Sequence, residues 1–167
     1  MIRVLGENDA LALRTLRLRA LRDAPDSFLN TYEDEATEPE SLTAERLRQT
    51  ADAQDSGVLG AFEDGALVGM LGIVRDTRRK AAHRAHLWGM YVAGDARKRG
   101  FGRALLDAAV ARARDAGVEQ LHLHVAANAD AARRLYRSVG FAPIGTLREA
   151  MKDGERYVDE DLMVLRL

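Results

Sequence analysis

Residues 87–116 constrain the fold of this chain more than any other stretch, because they join a strand, a glycine loop and a helix. The apolar run Leu87–Val92 is typical of a strand, and the segment after Gly102 is rich in alanine and leucine, as helices are. Between them lies the basic loop Arg97–Gly102, with the sequence RKRGFG. A glycine loop that leads into a helix N-terminus presents backbone N–H groups and positive dipole to an anion. This order of elements predicts a phosphate-binding site.

The segments around this stretch alternate between strand-like and helix-like patterns. The predicted strands are 2–5, 57–62, 66–74, 86–92, 121–125, 141–144 and 156–167, with a hairpin turn at Asp64-Gly65. The predicted helices are 9–23, 40–53, 103–116 and 128–139, and an acidic polar stretch occupies residues 31–40. The pattern predicts a single α/β domain over residues 1–167, with a mixed, mostly antiparallel central sheet and about four flanking helices.

Composition disfavours some classes of function and excludes others. A net charge of −1 gives the chain no overall basic field, and the cluster Arg97–Arg99 is too small for the footprint of a nucleic-acid duplex. The absence of cysteine excludes a cysteine-linked covalent intermediate and a cysteine-ligated zinc ion. No stretch is long and apolar enough for a signal peptide or a membrane span, so we expect a cytoplasmic protein.

Two common phosphate-binding loops do not match residues 97–102. A P-loop needs a lysine and a hydroxyl residue after its glycine, whereas Gly100 is followed by Phe101 and Gly102. A dinucleotide fingerprint needs a third glycine where this chain has Leu105. What remains is a pyrophosphate cradle with dense positive charge.

The same loop resembles the Arg/Gln-x-x-Gly-x-Gly/Ala signature of the GCN5-related N-acetyltransferases (GNAT). Residues Met90–Val92 fit the strand that precedes this signature in the family and separates from its neighbour at a bulge. The segments 132–136 (ARRLY) and Gly140-Phe141 resemble the family's Ala-x-x-Leu-Tyr-x-x-x-Gly-Phe pattern. The resemblance covers nearly the whole chain, and it implies the acyl-CoA N-acyltransferase fold, with the sheet splayed at its fourth strand.

By this resemblance the co-substrate is acetyl-CoA, and no metal is expected. The residues implied to bind it are Met90, Tyr91, Val92, Arg97, Lys98, Arg99, Gly100, Phe101, Gly102, Arg103 and Asn128. The amides of residues 99–103 would hold the pyrophosphate, and Met90–Val92 would pair with the pantetheine arm and polarise the thioester carbonyl. The family's asparagine lies seven residues before its tyrosine, where this chain has Ala129, so Asn128 stands one residue early.

The chemistry of acetyl transfer assigns roles to three further residues. Tyr136 occupies the family's general-acid position and would protonate the leaving thiolate. Glu33 or Glu35 would act through water as general base on the amine, although an acidic stretch is equally typical of a solvated loop. This acidity would also suit a cationic substrate. Without cysteine, we expect the acetyl group to move directly to a primary amine in a ternary complex.

These observations leave several alternatives open. The acceptor amine is a small molecule or a peptide N-terminus, and the sequence does not choose between them. The rival functions are a catalytically silent acyl-CoA-binding sensor on the same fold and a nucleic-acid-binding module that uses Arg97–Arg99. The family resemblance also implies a homodimer. His122 and His124 share a strand face without a third metal ligand at a suitable spacing, and Trp88 is expected to pack in the core.

Overall fold

The computed structural model describes residues 1–50 and 52–167, and a seven-stranded sheet runs through it. The strands are β1 (Ile2–Val4), β2 (Gly57–Glu63), β3 (Ala66–Arg75), β4 (Arg84–Val92), β5 (Gln120–Ala126), β6 (Ala142–Asp153) and β7 (Arg156–Arg166). They lie in the order β1-β2-β3-β4-β5-β7-β6. Strands β4 and β5 run parallel, and the other neighbouring pairs are antiparallel. The predicted mixed, mostly antiparallel sheet is confirmed.

Five α-helices in the described residues cover the two faces of this sheet. They are α1 (Ala10–Asp23), α2 (Tyr32–Ala36), α3 (Glu40–Thr50), α4 (Phe101–Asp115) and α5 (Asp130–Val139). Helix α4 joins β4 to β5 and packs with α5 on one face, while α1 and α3 pack on the other. The buried face of α4 carries the apolar stripe of the sequence, Leu105, Leu106, Ala109, Val110 and Ala113. Two apolar cores therefore enclose the sheet.

Strand β4 leaves its regular register in the middle of the sheet. Two of its residues, Gly89 and Met90, face the single residue Leu71 of β3. Gly89 has a φ of +65°, a left-handed conformation that glycine adopts without the strain that a Cβ causes. On its other side, β4 pairs with β5 over Arg84–His86 alone. The two parallel strands therefore separate beyond His86, which confirms the splay at the fourth strand.

The acidic stretch contains a short helix that the sequence pattern did not predict. Helix α2 begins after Thr31, whose hydroxyl oxygen accepts a hydrogen bond from the Asp34 amide at 3.2 Å. This N-cap and the acidic first turn stabilise a helix that has few apolar residues. The helix predicted to continue to residue 53 ends at Thr50, and Ala51 lies outside the described residues.

Two further predictions differ from the structure. The strand predicted at 141–144 is the twelve-residue β6, because it pairs with β7 as a long hairpin. The prediction that Trp88 packs in the core is wrong, since 48% of this residue is exposed. Its indole instead lies against the backbone of Gly72, where an added Cβ would come within 2.1 Å of the ring atom Cε2. Trp88 thus forms part of a cavity wall beside the bulge.

Candidate active site

The loop between β4 and α4 is shaped by two residues in left-handed conformations. Lys98 has a φ of +61°, and Gly100, the N-cap of α4, has a φ of +87°. The backbone hydrogen bond from the Ala104 amide to the Gly100 carbonyl, 3.0 Å long, closes the first turn of the helix. The amides of residues 101–103 precede this bond, at a helix end where backbone donors have no partner inside the helix. The loop therefore offers adjacent N–H donors to an anion.

The basic side chains of this loop differ in what they already bind. Lys98 is exposed and forms no ion pair with a described residue, and Nε of Arg97 donates to the Val92 carbonyl at 3.0 Å. The remaining two form the exposed pairs Arg99–Glu63 at 2.8 Å and Arg103–Asp107 at 2.9 Å. Exposed pairs contribute little to stability, so a phosphate can replace the carboxylate at low cost. Positive charge is available on both sides of the amides.

Gly102 sets how closely this loop approaches the splayed strand. A Cβ on Gly102 would lie 3.1 Å from Cδ2 of Leu135 and 3.3 Å from Cε of Met90. The missing side chain therefore lets the first turn of α4 pack directly against β4 and α5. This contact places the anion-binding amides beside the separated end of β4.

The gap between β4 and β5 forms a cavity of about 80 Å³. Gly89 and Met90 of β4, Val125 of β5 and Tyr136 of α5 contribute to its lining. Tyr136 is 6% exposed, and its ring meets the edge of Phe141 with the centroids 5.9 Å apart. Burial raises the pKa of the Tyr136 phenol above its ordinary value, so the hydroxyl stays protonated at physiological pH. The gap therefore contains a buried phenol that can donate a proton.

A second and larger cavity, of about 530 Å³, lies on the opposite face of the sheet. Helices α1 and α3 and strands β2, β3 and β4 supply its walls. Its apolar lining consists of Leu13, Leu18, Leu47, Val58, Met70, Ile73, Val74 and Trp88. Trp88 and Gly89 also line the smaller cavity. The bulge in β4 is therefore the place where the two cavities adjoin.

The structure separates the two carboxylates that were predicted as candidates for the general base. Glu33 is exposed and is absent from the lining of both cavities, whereas Glu35 lines the larger one. The Glu35 carboxylate accepts hydrogen bonds from Nη2 of Arg17 at 2.6 Å and from Nδ2 of Asn30 at 2.8 Å. Burial raises the pKa of Glu35, but these hydrogen bonds outweigh it and leave that pKa below its ordinary value. Glu35 is therefore ionised and weakly basic at neutral pH.

Two further residues predicted to bind acetyl-CoA also have protein partners through their side chains. The Tyr91 hydroxyl donates to Asp23 at 2.5 Å, which joins the end of β4 to α1. Burial, followed by this hydrogen bond, raises the pKa of Tyr91 to about 12. Asn128 is exposed in the turn before α5, and its Nδ2 donates to Asp26 at 3.2 Å. The Asn128 side chain thus contacts the segment that follows α1.

The histidines near β4 and β5 do not form a ligand set. His86 and His122 have ring centroids 5.4 Å apart, and His122 contacts Gln120 through Nε2 at 3.0 Å. Within the described residues, no three histidine, aspartate or glutamate side chains are placed to hold a metal ion together. None of the described helices has the length and apolarity needed to cross a lipid bilayer.

Sequence reasoning missed three residues at the junction and in the larger cavity. Arg14 and Arg17 of α1 line the cavity, although they read as polar positions between two apolar stripes. Gly89 had a usable signal, because an isolated glycine inside a strand pattern indicates a bulge or a close backbone approach. Arg14 and Arg17 had no such signal, because their position in the cavity depends on how α2 and α3 pack beside α1.

Comparisons with known proteins agree with this geometry. The family model described as "Acetyltransferase (GNAT) family" matches residues 20–141. Among solved structures, an acetyltransferase of the GNAT family from Streptococcus pneumoniae superposes with a TM-score of 0.92 at 24% identity, covering 100% of this chain and 99% of that one. A ribosomal-protein-alanine N-acetyltransferase from Brucella melitensis gives a TM-score of 0.86 at 27% identity, with the same coverage of 100% and 99%.

A third similar structure contains a ligand. It is a GNAT superfamily phosphinothricin acetyltransferase from Sinorhizobium meliloti in complex with AcCoA, with a TM-score of 0.85 at 20% identity. The superposition covers 100% of this chain and 88% of that one. No curated protein matches the chain. The neighbours share the whole fold described above.

Proposed function

The chain belongs to the acetyltransferase (GNAT) family, and from that premise we propose that it transfers an acetyl group from acetyl-CoA to a primary amine. The observation that carries this proposal is the junction at Gly89, where a cavity beside the anion-binding loop adjoins a second cavity. A donor and an acceptor that enter from opposite faces of the sheet would meet there.

The residues of the loop fit the acyl donor. The exposed cations Arg97 and Lys98 and the amides of residues 101–103 suit a pyrophosphate, which carries negative charge and accepts hydrogen bonds only. The AcCoA complex of the Sinorhizobium neighbour supports the same ligand here. We assign pyrophosphate binding to Arg97, Lys98, Arg99, Gly100, Phe101, Gly102 and Arg103, with Asn128 as a further contact. The separated edge at Met90, Tyr91 and Val92 would pair with the pantetheine amides.

Tyr136 has the properties that the leaving group requires. When bound, acetyl-CoA supplies the thioester whose thiol leaves, and such a thiol has a pKa of about 8.5 by analogy with cysteine. The protonated phenol of Tyr136 lies in the gap between β4 and β5, where it would donate its proton to the sulfur. An amide of Tyr91 or Val92 would polarise the thioester carbonyl. Because the chain has no cysteine, we propose direct attack by the amine rather than transfer through a cysteine.

The attacking amine must also lose a proton, and none of the described side chains in the site is a strong base for this step. Glu33 and Glu35 stay predictions for the role of general base. Of the two, only Glu35 lines the larger cavity, which we propose receives the acceptor. Its lowered pKa makes it a poor proton acceptor, so we propose that the amine loses its proton to water and that Glu35 holds Arg17 in place.

An amine panel assayed for release of the CoA thiol tests this function. The panel contains small amines, amino acids and short peptides with free N-termini, because the Brucella neighbour is a ribosomal-protein-alanine N-acetyltransferase. We expect acetyl-CoA to bind and at least one class of amine to release thiol. Binding of acetyl-CoA without turnover of any amine would support the silent sensor instead. Trapping of an acetylated protein in the absence of amine would contradict direct transfer.

We propose separately that the chain forms the homodimer that the family resemblance implies. Sedimentation velocity over a range of protein concentrations measures it, and a constant monomer mass would contradict it.

A further inference from the structure

The larger cavity carries more positive than negative charge on its wall. Its lining contains the arginines Arg14, Arg17 and Arg46 and two carboxylates, Glu35 and Glu38. Both carboxylates are bound by arginines, since Arg17 pairs with Glu35 at 2.6 Å and Nη1 of Arg46 pairs with Glu38 at 3.0 Å. Neither carboxylate is left to bind the ammonium group of a cationic acceptor. The two carboxylates of residues 31–40 that line this wall are therefore neutralised by arginines of the protein.

Arg17 has one edge that its contacts within the protein do not use. Nε and Nη2 donate to Glu35 at 2.9 and 2.6 Å, and the guanidinium lies over the Phe28 ring, 4.5 Å from its centroid. Nη1 has no hydrogen-bond partner among the residues that the structure describes. It lies 3.8 Å from the position that a Cβ would take on Gly89. Arg17 is therefore held in one orientation, with a free donor directed at the junction of the two cavities.

Arg14 adds a second cation at this wall, and unlike Arg17 it has no carboxylate partner among the described residues. Its Nη2 donates to the backbone carbonyls of Ala36 and Glu38 at 2.9 and 2.8 Å. Carbonyl oxygens satisfy hydrogen bonds but leave the net charge of the guanidinium in place. Arg14 and Arg17 are three residues apart on α1, so they lie on the same side of the helix. The field at the cavity wall therefore attracts an anion.

From these contacts we infer that the acceptor is an α-amino acid, whose carboxylate binds Nη1 of Arg17 while its amine faces the junction. This inference rests on the proposed function and names its substrate class. The amine of the acceptor must react beside Gly89, and Nη1 of Arg17 lies only 3.8 Å from the position that a Cβ would take on that glycine. The amine and the carboxylate of the acceptor must therefore be close together. An α-amino acid separates its nitrogen from its carboxylate by a single carbon atom.

The walls of the cavity extend this inference to the side chain of the acceptor. Beyond Arg17 most of the accessible lining is apolar, with Leu13, Leu47, Met70 and Ile73 among its residues, and the volume of about 530 Å³ accommodates a large side chain. Apolar α-amino acids fit both features. A peptide N-terminus fits less well, because an amide replaces the carboxylate beside its amine.

The experiment compares matched acceptors in the thiol-release assay. Leucine, methionine and phenylalanine are each tested against their amides and against the dipeptides that they form with a C-terminal glycine. We expect kcat/KM to be at least ~10-fold higher for the free acids, as a charge-assisted hydrogen bond implies. Amides or dipeptides that react as well as the acids would overturn the inference and leave the proposed function standing. If no acceptor in this set or in the wider amine panel releases thiol, both fail.

Variants assign the preference to Arg17. Arg17→Met should raise the KM of the acids more than it lowers kcat and bring the acid-to-amide ratio close to one. Because this change also releases Glu35, the double variant Arg17→Met/Glu35→Gln is tested beside it and should give the same ratio. Arg46→Met removes a cation from the same wall, away from the junction, and should keep the preference for acids. A preference that survives in both Arg17 variants overturns the assignment.

A binding measurement provides a readout that does not depend on turnover. The des-amino analogues of the three amino acids keep the carboxylate and the side chain but cannot accept an acetyl group. Calorimetry in the presence of CoA should detect their binding to the wild type and at least ~10-fold weaker binding to Arg17→Met. Equal binding to both proteins would contradict the inference.

Discussion

Tyr136 shows how one side chain can satisfy a structural and a chemical requirement together. Its ring packs against Phe141 in the core, and its burial keeps the phenol protonated beside the splay. We predict that Tyr136→Phe keeps the packing and the affinity for acetyl-CoA but lowers kcat by about 100-fold, at the lower end of general-acid effects because a thiolate leaves readily. Steady-state kinetics with a calorimetric Kd measures both quantities. An unchanged kcat would remove Tyr136 from the proposed chemistry.

Gly100 allows the charge of the loop to be tested apart from its conformation. Its φ of +87° disfavours most side chains, but aspartate and asparagine tolerate this region and have the same shape. We predict that Gly100→Asp binds acetyl-CoA at least ~10-fold more weakly than Gly100→Asn, because only the carboxylate repels phosphate. Isothermal calorimetry compares the two variants. Equal affinities would show that residues 97–103 do not hold the pyrophosphate.

The pH dependence of the reaction distinguishes water from Glu35 as the acceptor of the amine proton. Glu35 has a lowered pKa and Tyr136 a raised one, so neither changes its protonation between about pH 6 and 9. We predict that kcat/KM rises with pH as the acceptor amine loses its proton, both in the wild type and in Glu35→Gln. The midpoint of this rising limb of the pH profile should equal the pKa of the amine. Acceptors whose amines differ in pKa should shift this limb. A limb that stays fixed between acceptors and disappears in Glu35→Gln would identify Glu35 as the base.

At the scale of secondary structure elements, most of those predicted correctly have a signal in neighbouring residues of the sequence. The apolar stripe of α4, the turn at Asp64-Gly65 and the glycine loop all follow from residues close in the chain, and the structure contains each of them. Helix α2 was missed although its cap at Thr31 and its acidic first turn are local signals, whereas Trp88 was misplaced because its packing depends on a residue of another strand. The Trp88 indole lies against the backbone of Gly72 on the neighbouring strand, a contact that no pattern within β4 reveals.

The contact between β3 and β4 at this point gives a test of the bulge region. We predict that Gly72→Ala displaces the Trp88 indole, because the new Cβ would lie 2.1 Å from the ring. Trp88 is the single tryptophan, so its fluorescence emission should change in this variant. Gly145→Ala adds the same methyl group to a strand position with nothing within 4 Å and serves as the control. Identical emission from all three proteins would contradict the placement of Trp88.

At the scale of the whole molecule, one ion pair joins β7 to the segment after α1, far apart in the chain, and another joins β1 to the turn before α1. Arg156 of β7 binds Asp26 at 2.5 Å, and Arg3 of β1 binds Asp9 at 2.6 Å. In each case a hydrogen bond from the arginine lowers the pKa of the aspartate. A group whose pKa is lower in the folded state contributes stability above its unfolded pKa, and this contribution is lost as the pH falls through the folded pKa. These pairs therefore weaken below about pH 4.

His86 and His122 respond to acid in an earlier window. Burial, followed by neighbouring positive charge, lowers the pKa of each ring. A histidine with a lowered pKa binds its proton more readily in the unfolded chain, so acidification through its unfolded pKa of about 6.5 favours unfolding. The two rings lie at the parallel pairing of β4 with β5, just before those strands separate. Their protonation therefore acts on the part of the sheet that anchors the splay.

We predict that the free energy of unfolding decreases in two steps as the pH falls. The first step lies just below pH ~6.5 and belongs to His86 and His122, and the second lies below pH ~4 and belongs to the paired carboxylates. Urea titrations from pH 8 to pH 3 measure both steps through the unfolding midpoint. His122→Gln should reduce the first step and leave the second, because glutamine does not take up a proton. A midpoint that is constant from pH 8 to pH 5 would contradict the burial of the two rings, whereas a missing second step would contradict the ion pairs.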